Sequence, residues 1–300
     1  MTNATFFLTR VTPARGASKA WYVRLVTDGR APGPDTPVEA IEDPFTAARV
    51  LARGGDRRSV YEIVRDAAAV EGGPSGTLAE LGGRLEVPIA PTKVIGIGRN
   101  FRAHAAELDH AVPATPLSFF KPPSCLVPSG AAIELPPGDD RVDYEGELVV
   151  VVGRRLRHAE PSEAEAAVSG VCLGNDVSCR DLQRTDGQWT RAKGFDTFGP
   201  VGPFVRLVEG FGQVPKGARI QTYVGDALRQ DAPLSDMVFS VGAVLAHLSA
   251  CMTLEPGDAV FMGTPAGVGP LAAGEVVRVE CAGFDLGRLV NPVVGSGPRP

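Results

Sequence analysis

The chain has 300 residues, 44% of them hydrophobic and 22% charged, ordinary for a globular protein with material for one large domain or two smaller ones. A formal net charge of −5, with no basic block and no aromatic–basic interleaving, argues against a nucleic-acid-binding surface. Five cysteines, with no Cys-x-x-Cys pair, indicate neither a disulfide framework nor a thiolate zinc site, and favour a reducing cytoplasm.

The first ten residues lack the charged start and continuous apolar stretch of a signal peptide. Residues 1 to about 90 have a texture of their own. An early strand is expected at 20–26, helices at 44–52 and 59–70, a glycine-rich loop at 71–76 and a linker at 87–91. This stretch reads as a small N-terminal α/β domain to which no chemistry can be assigned.

From Lys93 onward the chain is β-rich, with strands expected at 93–97, 117–120, 145–152, 171–177, 201–207, 220–224, 259–262 and 276–281. Helices are expected at 161–170, with acidic residues in its first turn, and at 240–252. The second is uncharged and long enough to raise a membrane question. Its residues Val241, Val244, Leu245, Leu248 and Met252 fall at helical spacing behind a Ser240 N-cap, however, and that favours a buried helix. No membrane association is expected. Strands outnumber helices too heavily for a βαβ repeat, so the expected class is α+β: a mixed β-sandwich or roll over 91–300 behind the 1–90 domain.

Asp143-Tyr144-Glu145-Gly146-Glu147-Leu148 leads directly into the apolar run 149–152. On one strand the three acids would share a face, which fits either an exposed strand edge or a site for a hard divalent cation. Asp176 follows the apolar stretch Val171-Cys172-Leu173. Alone it could cap a turn or pair with Arg180, whereas with Glu145 and Glu147 it completes a three-carboxylate set with open positions for water and substrate.

His104 and Glu107, three residues apart, would lie on one side of a helical turn, as a surface pair or as a general base with its orienting carboxylate. Lys193, among aromatic and glycine neighbours, reads as a solvated loop lysine or as a pocket lysine. Gly96-Ile97-Gly98 is followed by Phe101 where the dinucleotide-binding pattern needs glycine, so that motif fails. The glycine-rich 263–269 stretch lacks the ending of a phosphate loop, although its N–H groups and the Thr264 hydroxyl could cradle a carboxylate.

Four segments, in order over about residues 93–295, together resemble the fumarylacetoacetate hydrolase family, as a bacterial member with an extra N-terminal domain. They are Gly98-Arg99-Asn100-Phe101 with His104 and Glu107; 143–148; Gly174 to Asp181 running on to Lys193-Gly194-Phe195-Asp196; and Gly257-Asp258 through 263–267. The resemblance implies that fold and a homodimer, with Glu145, Glu147 and Asp176 as ligands of Mg²⁺ or Mn²⁺ and no ligand role for Asp143. It makes His104 and Glu107 the water-activating dyad on a lid, and Lys193 the lysine near a developing enolate. Gln230 and Thr264 resemble substrate-carboxylate anchors, with Arg99 as a further substrate-binding residue. The expected activity is metal-dependent C–C cleavage in a small 2-oxo acid, either hydrolysis of an acylpyruvate or decarboxylation of an oxaloacetate-like acid, as in aromatic-compound catabolism. The alternatives are isomerisation of an unsaturated 2-hydroxy or 2-oxo dioic acid of the 2-hydroxyhepta-2,4-diene-1,7-dioate type, and a non-catalytic ligand-binding protein on the same fold.

Overall fold

The computed structural model describes residues 4–14, 19–107, 113–138 and 140–295, without the side chains of 104–106. Leu148 to Val152 is apolar without alternation, so as a strand it must be covered on both faces. The strand Gly146–Val152 is accordingly central. Leu148, Val150 and Val152 face one core with Ile220, Leu245, Leu248 and Val279, while Val149 and Val151 face a second with Phe45, Val205 and Phe261.

The largest sheet runs Ser75–Thr77, Pro37–Ile41, Trp21–Thr27, Thr5–Thr12, Gly199–Leu207, Val168–Asn175, Gly146–Val152, Ala259–Phe261, Val94–Gly98, Leu117–Lys121. The pairing of Ala259–Phe261 with Val94–Gly98 is parallel and most other pairs are antiparallel, so the sheet is mixed. A second sheet, Ala227–Pro233, Arg219–Val224, Val276–Ala282, Leu289–Val294 and Ile133–Glu134, packs on it through Ile220, Val279 and Leu289. The protein is therefore the β-rich mixed sandwich with few helices that its sequence indicates. The helix Val241–Cys251 lies in that core, capped by Ser240, whose Oγ accepts from the Ala243 N–H. Among the described residues no helix is long and apolar enough to cross a membrane.

The N-terminal strands continue the large sheet. Thr5–Thr12 pairs with Gly199–Leu207 at Phe7↔Arg206 and Leu8↔Val205. Asp258 clamps the start of the next segment, its Oδ1 accepting from Thr92 and Lys93 N–H at 3.0 and 2.9 Å. Two helices are shorter than their periodicity suggests. The 59–70 helix ends at Asp66, where Ala67 turns extended. The 161–170 helix ends at Ala166, because Val168 already belongs to a buried central strand and sheet pairing overrides local preference.

Candidate metal centre and active site

The acidic segment does not form one continuous strand. Val142–Tyr144 pairs with Ser178–Cys179 and Gly269–Pro270 in a small separate sheet, and the chain changes sheets at Glu145 before Gly146–Val152 begins. The expectation that Asp143 shares a face with Glu145 and Glu147 therefore fails, since strand alternation holds only within one strand. Asp143 instead binds Arg141 and Arg180, at 2.8 Å each.

Glu145 and Glu147 meet Asp176, and one ligand oxygen from each lies within 4.8 Å of the others. All three are buried, at 4%, 2% and 1% exposure. The backbone holds them there. Asp176 N–H donates to the Glu145 carbonyl at 2.8 Å, Glu145 N–H to Asn175 Oδ1 at 2.9 Å, and Gly263 N–H to Glu147 Oε2 at 2.7 Å. Only glycine fits between the two glutamates, because a Cβ at Gly146 would sit 1.9 Å from Thr222 Oγ1.

Three cations serve this cluster. Lys193 Nζ is 2.6 Å from both Glu145 Oε2 and Asp176 Oδ2. Lys121 Nζ is 2.7 Å from Asp176 Oδ1, and Arg180 Nη2 is 2.6 Å from Glu145 Oε1. Neither of the last two contacts has hydrogen-bond geometry, so Asp176 Oδ1 is a buried oxygen with no hydrogen bond. Burial, then the neighbouring charges of Asp176 and Glu145, pushes the Glu147 carboxyl well above the usual glutamate range. Burial acts to lower the Lys193 pKa, but the facing Asp176 and Glu145 outweigh it and raise the value. An all-oxygen donor set from three converging buried carboxylates, only partly offset by Lys193, Lys121 and Arg180, fits a hard divalent cation.

Lys193 sits beneath an aromatic wall, 5.0 Å from the Phe119 ring centroid and 6.0 Å from that of Trp189. The cavity is ≈ 240 Å³ and includes Arg99, the three carboxylates, Arg180, Gln183, Lys193 and Thr264 in its lining. Gln230 is not among these lining residues. Its Oε1 accepts from Gly146 N–H at 3.0 Å, and its amide donates to Thr264 Oγ1 and the Pro265 carbonyl at 2.7 and 2.8 Å. As placed, it braces the Glu145–Glu147 loop. Thr264 Oγ1 reaches the cavity while donating to the Gly146 carbonyl at 2.9 Å.

Glu107 ends the helix Arg102–Glu107 and accepts the Gly267 N–H at 3.1 Å. His104 lies in that helix, but its side chain falls outside the described residues. Sequence reasoning missed Lys121, Arg180 as an ion-pair partner of both Asp143 and Glu145, and Gln183, which accepts from Arg180 Nη1 at 2.8 Å. The three-residue spacing of Arg180 and Gln183 on one helix was the available signal. Lys121 offered none.

Fold and pocket define a mixed β-sandwich roll built around a cluster of three buried carboxylates that could hold a cation. A family model for the fumarylacetoacetate (FAA) hydrolase C-terminal domain matches residues 93–294, and the chain belongs to this family. It is 41% identical over 225 residues to the Mycobacterium tuberculosis protein Rv2993c, covering 75% of this chain and 83% of the relative. Among solved structures, a 5-carboxymethyl-2-hydroxymuconate delta-isomerase from Mycobacterium smegmatis is 34% identical at a TM-score of 0.77, covering 97% of this chain and 100% of that one. A fumarylpyruvate hydrolase from Pseudomonas aeruginosa, in complex with Mn²⁺ and pyruvate, is 33% identical at a TM-score of 0.63, covering 70% of this chain and 91% of that one.

Proposed function

We propose that the protein is a divalent-metal-dependent enzyme that cleaves a C–C bond in a small 2-oxo acid by way of its enolate. The observation that carries this reading is the convergence of three buried carboxylates within 4.8 Å, beside a buried lysine that lines the same cavity. Glu145, Glu147 and Asp176 would hold Mg²⁺ or Mn²⁺. When bound, the ion supplies Lewis-acid stabilisation of negative charge on the substrate's 2-oxo and carboxylate oxygens.

The protein's own groups supply the rest. Lys193 is charged and buried and gives two of its N–H donors to Glu145 and Asp176, so the third would stabilise the enolate oxygen as the bond breaks. Arg180 holds Glu145 in place. Phe119 and Trp189 limit access of bulk water to one side of the cavity. Glu107 and His104 would take the proton of an attacking water, which makes the outcome hydrolysis; loss of CO₂ from the same enolate-forming acid would need no such step. A protein dimer would be the working form.

An isomerase reading is favoured by one specific observation: the likeness to the delta-isomerase spans 97% of this chain and all of that one, whereas the likeness to the hydrolase covers 70%. Incubation with Mg²⁺ or Mn²⁺ and acylpyruvates, oxaloacetate or unsaturated 2-hydroxydioic acids separates the readings. Pyruvate release from an acylpyruvate or from oxaloacetate supports cleavage. A shifted ultraviolet band without loss of carbon supports isomerisation. Turnover unaffected by chelator overturns both. His104→Ala is expected to abolish hydrolysis and keep metal binding.

A further inference from the structure

Leu117–Lys121 is the edge strand of the large sheet, and alternate residues on a strand share a face. Phe119 and Lys121 are such a pair, and both meet Lys193. The Phe119 ring centroid lies 5.0 Å from the Lys193 ammonium. Lys121 holds the other end of the same residue, its Nζ donating to the Lys193 main-chain carbonyl. One short strand thus contacts Lys193 at both side chain and backbone.

The Lys121 side chain is wholly buried, and taking an ammonium out of water is costly unless oxygens replace the water. Three oxygens do so here: the Lys193 carbonyl, the Phe198 carbonyl at 3.1 Å and Asp176 Oδ1 at 2.7 Å. The Phe198 carbonyl also accepts from Val177 N–H at 3.2 Å. A single cation therefore ties both ends of the 193–198 segment to the stretch that carries the proposed ligand Asp176.

The segment so held is strained. Thr197 has φ +70°, a left-handed conformation that is an outlier for a β-branched residue. Such a conformation persists only where its surroundings impose it. Glu134 N–H donates to Thr197 Oγ1 at 2.9 Å within the segment, and Lys121 fixes the two ends. Pro122 closes on it as well, since a Cβ at Gly194 would come within 2.8 Å of the proline ring. The Lys193 side chain has no anchor of that kind. Both oxygens that accept from its Nζ, on Glu145 and Asp176, belong to the proposed ligands and would be shared with a bound cation.

We propose that Lys121 is a positioning residue, which fixes the backbone of Lys193 and so the place of the N–H that meets the developing enolate. This rests on the metal-centred reading above and deepens it. Lys121 is not among the residues lining the cavity, so it reaches a substrate only through a neighbour. Two neighbours are available, Lys193 and Asp176, and the experiment must separate them.

The test is a double-mutant cycle on the full-length protein, read by isothermal titration with Mn²⁺ and then, on Mn²⁺-loaded protein, with oxalate. Oxalate is a planar dianion shaped like the enolate of a small 2-oxo acid. Lys121→Met is expected to weaken oxalate binding about tenfold or more, as a displaced donor would. Mn²⁺ affinity should not weaken, because a positive charge has been removed from beside Asp176. In a Lys193→Met background the same substitution should change oxalate affinity by less than about twofold, since the group that Lys121 positions is gone. Lys121→Gln keeps two N–H donors for the carbonyls and should recover part of the loss; it carries the cycle if the methionine variant does not fold. An equal loss in both backgrounds, no loss at all, or a parallel loss of Mn²⁺ affinity overturns the assignment, while oxalate binding to the wild type still upholds the metal-centred reading. Failure of the wild type to bind Mn²⁺ and oxalate overturns both.

Discussion

The backbone N–H of Asp176 donates to the carbonyl oxygen of Glu145 at 2.8 Å, so two expected metal ligands from distant stretches are joined by a main-chain hydrogen bond. That bond fixes the backbone separation of the two residues. Metal binding should therefore relieve repulsion within a site already assembled and should not fold a disordered one.

Glu147→Gln tests this. Glutamine keeps an oxygen for the Gly263 N–H and removes a carboxyl whose charged form burial and its acidic neighbours disfavour. In chelator the variant should melt at or above the wild-type temperature. Mg²⁺ or Mn²⁺ should raise the wild-type midpoint and leave the variant's unmoved. A variant that melts several degrees lower in chelator would show that the Glu147 charge is stabilising, contrary to the crowding described above.

The raised Glu147 pKa fixes the sign of a pH effect. Above the ordinary glutamate value the folded carboxyl still holds a proton that the unfolded chain has lost. Stability of the metal-free protein should therefore fall as pH rises from about 4.5 toward the raised folded value. Metal binding must release that proton, so affinity should climb over the same window and level off above it. Titrations in buffers of different ionisation enthalpy would count the proton. A pH-independent affinity across the window contradicts the shift.

What could be read from the sequence follows from how locally each feature is encoded. The central strands announce themselves as unbroken apolar runs, and Ser240 with its helical spacing marks the buried helix. Glu145, Glu147 and Asp176 could be assembled on paper as a three-carboxylate set, but only the resemblance to family motifs made them metal ligands, because spacing alone left an exposed strand edge and a turn-capping Asp176 open. The change of sheets at Glu145 was not legible, since it depends on partners near residues 178 and 269. Nor was Lys121, which reads as one more lysine at the end of a strand and is buried only because Asp176 and the Phe198 carbonyl meet it. The N-terminal strands likewise choose Gly199–Leu207 as a neighbour by tertiary packing alone.

Gly146 carries a steric prediction. Its added Cβ would meet Thr222 Oγ1 at 1.9 Å and Thr222 Cβ at 3.2 Å, in a fully buried setting. Gly146→Ala should cost about 1–3 kcal/mol or more in denaturant unfolding, with metal affinity reduced because both neighbouring ligands move. Adding Thr222→Ala removes the closer clash and should recover part of each loss. A double variant no better than the single one would place the strain elsewhere.

Arg180 links the cluster to its surroundings, with Nε donating to Asp143 Oδ2 at 2.8 Å and Nη2 set 2.6 Å from Glu145 Oε1. Burial acts against the guanidinium's charge, but Glu145 and Asp143 outweigh it and raise its pKa. Removing the arginine takes one cation from each of two buried carboxylates and leaves Arg141 on Asp143 and Lys193 on Glu145, so Arg180→Met should destabilise by about 1.5–3 kcal/mol. Lysine is no substitute, because one ammonium cannot reproduce the fork that reaches Asp143, Glu145 and Gln183 together. Adding Asp143→Asn to Arg180→Met neutralises one of the two carboxylates that lose a cation. The double variant should therefore be more stable than the sum of the two single losses predicts, by more than 0.5 kcal/mol if the contact is a real coupling. Strict additivity in urea unfolding would mean that Arg180 and Asp143 act independently, and that Glu145 alone needs the arginine.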